Sequence, residues 1–268
     1  LPEKIFFFEN SRSGKLLAFL HLPDHQRRDV GIVYCHPFGE EKNCSHFITA
    51  AAARSFAEAG FPVLRFDFSG CGDSEDELDE VRFDDWLGDL HCAVKQVQEL
   101  CDVRKVVLWG LRLGASLATR YAFENTGAIH ALLFWQPVLD TAQFARQLIR
   151  QRFSSGIAAG AGRVAHDFGH DDVIEIHGYP ISHSFYESLA SFEIIPTAAE
   201  HAMPALVVSI SLMEKPSVSM LKSVQALQQH GLQVAQLHIQ SEPFWDRYWQ
   251  WQSKEVMEKS GNWLSGIE

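Results

Sequence analysis

At 268 residues, with 46% hydrophobic side chains, the chain has the length for one α/β domain carrying an inserted segment, and its composition excludes a disordered tract. A formal net charge of −11 excludes nucleic acid as a partner, because phosphate binding needs a basic stripe. No apolar run approaches the ~20 residues of a membrane helix, and the opening Leu1-Pro2-Glu3-Lys4-Ile5-Phe6-Phe7-Phe8 turns polar too soon for a signal peptide.

Strands and helices alternate along most of the chain. Residues 15–22 read as a strand, and so does the continuous β-prone run 30–36. The alanine-rich stretch 47–59 is expected as a helix closed by Gly60, and 62–68 as a central strand apolar on both faces. Phe83, Trp86, Leu87, Leu90, Val94 and Val97 give 82–100 helical spacing. A strand at 105–109, a helix at 113–124 and a strand at 129–135 follow. This rhythm implies an α/β fold with a mostly parallel sheet, right-handed crossovers and helices on both faces.

The rhythm breaks between Asp140 and about His201. Residues 141–152 look helical, 154–162 are small and flexible, 172–179 suit a short extended piece, and 183–190 another helix. The division expected is a core of 1–139 and 202–268 with a cap or lid inserted at 140–201. The core resumes with a strand at 204–211, a helix at 218–230, a strand at 233–239 and a tryptophan-rich amphipathic helix at 244–261. Five cysteines at 35, 44, 71, 92 and 101, with no CxxC spacing, read as buried reduced thiols of a cytoplasmic protein.

Three stretches resemble the α/β-hydrolase superfamily. His36-Pro37-Phe38-Gly39, directly after a strand, resembles the loop that supplies an oxyanion-hole amide. Arg65-Phe66-Asp67-Phe68-Ser69-Gly70-Cys71-Gly72-Asp73-Ser74 resembles the D-x-R-G-x-G-x-S turn, with Ser69 where the arginine usually stands. Trp109-Gly110-Leu111-Arg112-Leu113-Gly114-Ala115-Ser116 resembles the G-x-S-x-G nucleophile elbow in all but its serine. A narrower resemblance joins the elbow to Val173-Ile174-Glu175-Ile176-His177-Gly178-Tyr179 and to Glu242-Pro243-Phe244-Trp245. These are similar to the exosortase-A-system-associated hydrolases of type 2, encoded beside PEP-CTERM sorting and exopolysaccharide machinery. The resemblance implies an α/β-hydrolase fold; a fold does not establish chemistry.

An elbow lifts one side chain above the sheet edge at a helix N-terminus, and in an esterase that side chain is serine. Arg112 stays protonated and is no nucleophile. It can bind an anion together with the free amides of the helix start, Leu113 included. It can equally be a tether to a nearby carboxylate, and the two roles are compatible; some anion must answer a buried guanidinium. The superfamily pattern puts the catalytic acid after the strand at 204–211, where Glu214 is expected near Arg112 or exposed. It puts the histidine in the loop after 233–239, at Pro243; His238 lies too early.

The expected ligand-binding set is Arg112, Leu113, His36, Pro37, Phe38, Gly39, Glu242 and Trp245. Ser116 is expected to point into helix packing, Ser69 and Cys71 to be structural, and Asp67 and Asp73 to hold their turn. Neither a metal nor a cofactor is expected. His36, His46, Glu40 and Glu41 lack a familiar ligand spacing, and His166, Asp167, His170, Asp171 and Asp172 suit a solvated loop. Three functions remain open. The first is binding of an anionic small molecule, such as an acyl carboxylate, or of a partner protein at Arg112. The second is ester or thioester hydrolysis or acyl transfer by non-standard residues, with Arg112 stabilising an oxyanion and Glu214 or Glu242 activating water. The third is a scaffold for the exosortase system.

Overall fold

A computed structural model describes residues 2–25, 27–157, 172–196, 202–247 and 253–267. The strands are β1 (Glu3–Glu9), β2 (Lys15–His21), β3 (Val30–Cys35), β4 (Val63–Phe66), β5 (Lys105–Leu111), β6 (Ile129–Trp135), β7 (Val173–Ile176), β8 (Tyr179–Ser182), β9 (Pro204–Ser211) and β10 (Gln233–Gln240). The helices are α1 (Glu40–Glu58), α2 (Trp86–Cys101), α3 (Gly114–Glu124), α4 (Thr141–Ile157), α5 (His183–Ala190), α6 (Val218–Gln229) and α7 (Lys254–Gly266). Eight strands form one sheet in the order β1-β2-β4-β3-β5-β6-β9-β10, while β7 and β8 make a separate hairpin. Every pairing from β4 to β10 across the large sheet is parallel; β1 and β2 are antiparallel additions.

Each central strand feeds two cores, because successive side chains face opposite sides. In β5, Val106 and Leu108 pack with α2 and α3, while Val107, Trp109 and Leu111 pack with α1 and α7. The α/β arrangement with helices on both faces is therefore as expected from the sequence. Its consequence for function is geometric. Parallel strands deliver the loops after β3, β4, β5, β6, β9 and β10 to the same carboxyl edge of the sheet, where sites form in such folds.

Several boundaries differ from expectation. The N-terminal β1 escapes a sequence reading because three consecutive phenylalanines hide its alternation; Phe6 and Phe8 face inward and Ile5 and Phe7 are exposed. Helix α1 starts at Glu40, seven residues before the alanine-rich stretch, because its first two turns are polar. The final helix runs Lys254–Gly266, not 244–261. Phe244 and Trp245 are buried in the turn before it, with Phe244 edge-on to Trp135 at 5.9 Å, so their spacing reflects core packing and not helical periodicity. Tyr248, Trp249 and Trp251, and the histidine–aspartate run at 166–171, lie outside the described residues.

The stretch between β6 and β9 holds α4, the β7–β8 hairpin and α5. Phe185 of α5 is fully buried against Phe38 at 5.4 Å and Trp86 at 5.5 Å. Ser188 Oγ accepts a hydrogen bond from Phe83 N at 2.8 Å.

Candidate active-site pocket around Arg112

The turn between β5 and α3 places Arg112 at φ 51°, a left-handed conformation that strains any side chain larger than glycine. Three backbone bonds hold it there: Arg112 N donates to Trp135 O at 3.1 Å, and its carbonyl accepts from Ala115 N and Val138 N at 3.1 and 3.0 Å. The flanking glycines are required by close approach. A Cβ on Gly110 would stand 2.5 Å from Ala115 Cα, and one on Gly114 would stand 2.0 Å from the Cys35 carbonyl oxygen. This strand–turn–helix is an elbow with an arginine at its apex. Leu113 follows at the head of α3, fully buried.

The guanidinium is tied to α1. Its Nε and Nη2 both donate to Glu41 Oε1, at 3.1 and 3.0 Å, and the two side chains are 19% and 20% exposed. Glu41 Oε2 is shielded from solvent, without a hydrogen-bond partner among the described residues. On the other side, Arg112 Cζ lies 5.2 Å from the centre of the Trp245 ring, a cation–π arrangement. Asp246 completes the surround, close enough for its charge to act on both Arg112 and Glu41. Burial pushes the Glu41 carboxyl above its usual range against the opposing pull of Arg112, and does the same to Asp246.

Arg112 lines a cavity of about 600 Å³ with Gln136, Asp140, Gln143, Gln147, Ser217 and Lys222 among its walls. A second cavity, of about 340 Å³, lies beside Glu41, Trp245 and Asp246, and is walled by Phe38, Leu148, Ile176 and Tyr179. Phe144 lines both. Tyr179 Oη donates to Glu40 at 3.2 Å and accepts from Asn43 at 2.9 Å, which ties the β7–β8 hairpin to α1.

The loop after β3 is braced from below. His36 Nδ1 meets the Pro37 carbonyl at 2.7 Å, so that nitrogen carries the proton, and Nε2 accepts from Phe68 N at 3.2 Å. Burial pushes its pKa down to about 4, so the ring stays neutral and fixes the loop without doing acid–base work. Phe38 is buried, and Gly39 at φ 56° precedes α1.

The other expected positions fall as follows. Glu214 is exposed on the loop after β9, so the partner of Arg112 is Glu41. Glu242 is half-buried and 3.4 Å from Arg247, while Pro243 is half-buried in the same loop; the residues this loop brings to the guanidinium are Trp245 and Asp246. Ser116 is fully buried and donates to the Val138 carbonyl. Ser69 donates its N–H and Oγ–H to Asp89, at 2.9 and 2.7 Å. Asp67 pairs with Lys42 at 3.0 Å and receives Asp73 N. All five cysteines are free thiols, and burial raises the pKa of Cys71, the one in the turn beside the site, to about 12. Among the described residues no cluster of three or more His, Cys, Asp or Glu could hold a metal.

One serine–histidine contact was not anticipated. Ser209 Oγ lies 2.7 Å from His238 Nδ1, and His238 Nε2 lies 2.8 Å from the Met213 carbonyl. The carbonyl needs a donor, so Nε2 carries the proton and Nδ1 accepts from Ser209. Ser209 is buried within β9 and lines neither cavity; the pair joins two strands of the sheet.

Strand order and elbow together define an α/β-hydrolase fold. The solved Est1E of Butyrivibrio proteoclasticus with ferulic acid bound superposes with a TM-score of 0.72 over 98% of both chains at 16% identity. The esterase domain of a Rhodothermus marinus protein gives 0.65 over 100% of both at 20% identity. The profile of the family described as serine aminopeptidase, S33, matches residues 26–190, more than half of the chain, and the chain belongs to that family. Among curated relatives, an uncharacterized 31.7 kDa protein of Escherichia coli from the traX-finO intergenic region is 32% identical over 105 residues. The chain spans 35% of the length of that relative. Among the described residues no helix is long and apolar enough to cross a membrane.

Proposed function

We propose that the chain is a hydrolase-fold binding protein in which Arg112 has taken the nucleophile's place and holds an anionic small molecule, a carboxylate or phosphate. The observation that carries this reading is an arginine at the apex of the elbow, in the wall of a cavity of about 600 Å³. A guanidinium attacks no carbonyl, but its planar fork matches an oxyanion. Glu41 engages Nε and Nη2, which leaves Nη1 as the donor for a ligand. Lys222, Gln136, Gln143 and Ser217 offer further donors from the same cavity walls, against one carboxylate, Asp140, among the described residues. The α3 N-terminus adds its dipole. In this reading segment 140–201 is the cap over the pocket, and Glu41 is the tether that keeps Arg112 oriented when no ligand is bound. The motifs around Arg112, at 173–179 and at 242–245 support placement in the exosortase-A-system-associated subgroup.

The test has two arms. Intact-mass measurement after a fluorophosphonate probe is expected to show no adduct beside a labelled control esterase. Calorimetric titration with inorganic phosphate, malonate and octanoate is expected to find binding by at least one, weakened at least tenfold in Arg112→Met. A stoichiometric adduct would instead support the hydrolase or acyltransferase reading, and equal binding by Arg112→Met would remove Arg112 from the site.

A further inference from the structure

A second arginine has a stronger claim to a missing partner. Arg65 of β4 is only 7% exposed, yet its Nε and Nη1 are buried without any hydrogen-bond partner among the described residues. Its guanidinium carbon lies 5.4 Å from the centre of the Phe19 ring, which covers one face and offers no lone pair. The arginine lines a small space of about 20 Å³ with Tyr34, His36, Lys42, His46 and Asp67 among its other walls. That space holds one water or one monatomic ion.

The charges around it decide between the two. Asp67 is committed to Lys42 at 3.0 Å. Glu3, on β1, is committed to Arg54 at 2.6 Å and to His21 at 3.1 Å. Burial and the neighbouring cations push His21 and His36 down to about 4 and lower His46, so these rings are neutral. Among the described residues, Arg65, Lys42 and Arg54 thus face Asp67 and Glu3, which leaves one positive charge unanswered. A water would satisfy the two N–H groups and leave the charge; a buried, uncompensated guanidinium is the costlier state.

We propose that the buried Arg65, with Lys42 and His46 beside it, forms a site for a single halide-sized anion between β4 and α1. The site is separate from Arg112 but shares α1 with it. Glu41 faces the elbow, while Lys42, His46 and Thr49 line the Arg65 space. An anion at Arg65 therefore pins the helix that carries the Arg112 tether.

Thermal unfolding at fixed pH and ionic strength, with chloride or bromide replacing gluconate, tests it. The wild type is expected to gain roughly 3–6 °C in Tm for each tenfold rise in halide above Kd. Arg65→Met should lose that response, and Arg112→Met should keep it. A crystal grown in bromide should show an anomalous peak beside Arg65, a readout that survives even if Arg65→Met fails to fold. Superimposable curves in halide and gluconate, a response abolished by Arg112→Met, or no bromide peak at Arg65 would each overturn the proposal.

Discussion

At the scale of single residues, the elbow holds a charged side chain in a tightly constrained backbone frame. Arg112 keeps the left-handed backbone of an elbow apex, and Gly110 and Gly114 keep the close contacts that only glycine permits. Its charge is met by Glu41, with both side chains about four-fifths buried. Such a pair need not stabilise the fold relative to apolar residues, but breaking it from one side leaves a shielded charge behind. Arg112→Met and Glu41→Gln are therefore each expected to cost about 1–3 kcal/mol. The double variant should cost less than their sum, giving a coupling of about 1–3 kcal/mol in urea denaturation. Additivity within about 0.5 kcal/mol would mean that Asp246 and solvent already neutralise the arginine. The elbow was legible in the sequence because its glycines and strand are local. Glu41 as the partner was not, since 71 residues separate it from Arg112 and nothing local distinguishes it from Glu40.

At the scale of elements, the turn after β4 is held by a relay that the sequence hinted at only through Ser69. Asn10 Nδ2 donates to Ser69 Oγ at 2.9 Å, and Ser69 donates to Asp89 of α2, so β1, β4 and α2 are locked through one hydroxyl. Burial raises the Asp89 carboxyl above its usual range, and the two hydrogen bonds from Ser69 pull it partly back. Between the unfolded pKa, about 3.9, and the raised folded value, the native state binds the extra proton. The Asp89 contribution to stability therefore falls as pH rises through that window. Asp89→Asn lacks this titration and preserves an acceptor for Ser69. It should gain on the wild type by about 1.4 kcal/mol for each pH unit that the window spans, and the difference should level off above it. Urea melts of both proteins over the acid range would show this; a difference constant with pH would mean that Asp89 folds with an ordinary pKa. The α7 boundary carries a related lesson. Tryptophan spacing in 244–251 imitates a helix, but Phe244 and Trp245 are core residues of a turn, and tertiary burial overrides a local pattern.

At the scale of the whole molecule, parallel order fixed by continuous apolar strands brings six loops to one edge, and that much follows from sequence alone. How the segment between β6 and β9 sits on the core does not follow, because its elements are short and its contacts are distant. Phe185 packs into an aromatic group built from Phe38, in the loop after β3, Phe83, just before α2, and Trp86, at the start of α2. If segment 140–201 acts as a cap, its α5 is therefore a fixed anchor and any opening belongs to other parts of it. Phe185→Ala should cost about 3–5 kcal/mol, and it should do so in one cooperative urea transition with an unchanged m-value. Hydrogen exchange gives the sharper reading. In the wild type the α5 amides should exchange with the global unfolding free energy, as core elements do. Exchange of α5 at a much lower free energy, with β5 and β6 still protected, would show a cap that lifts as a unit, anchor included.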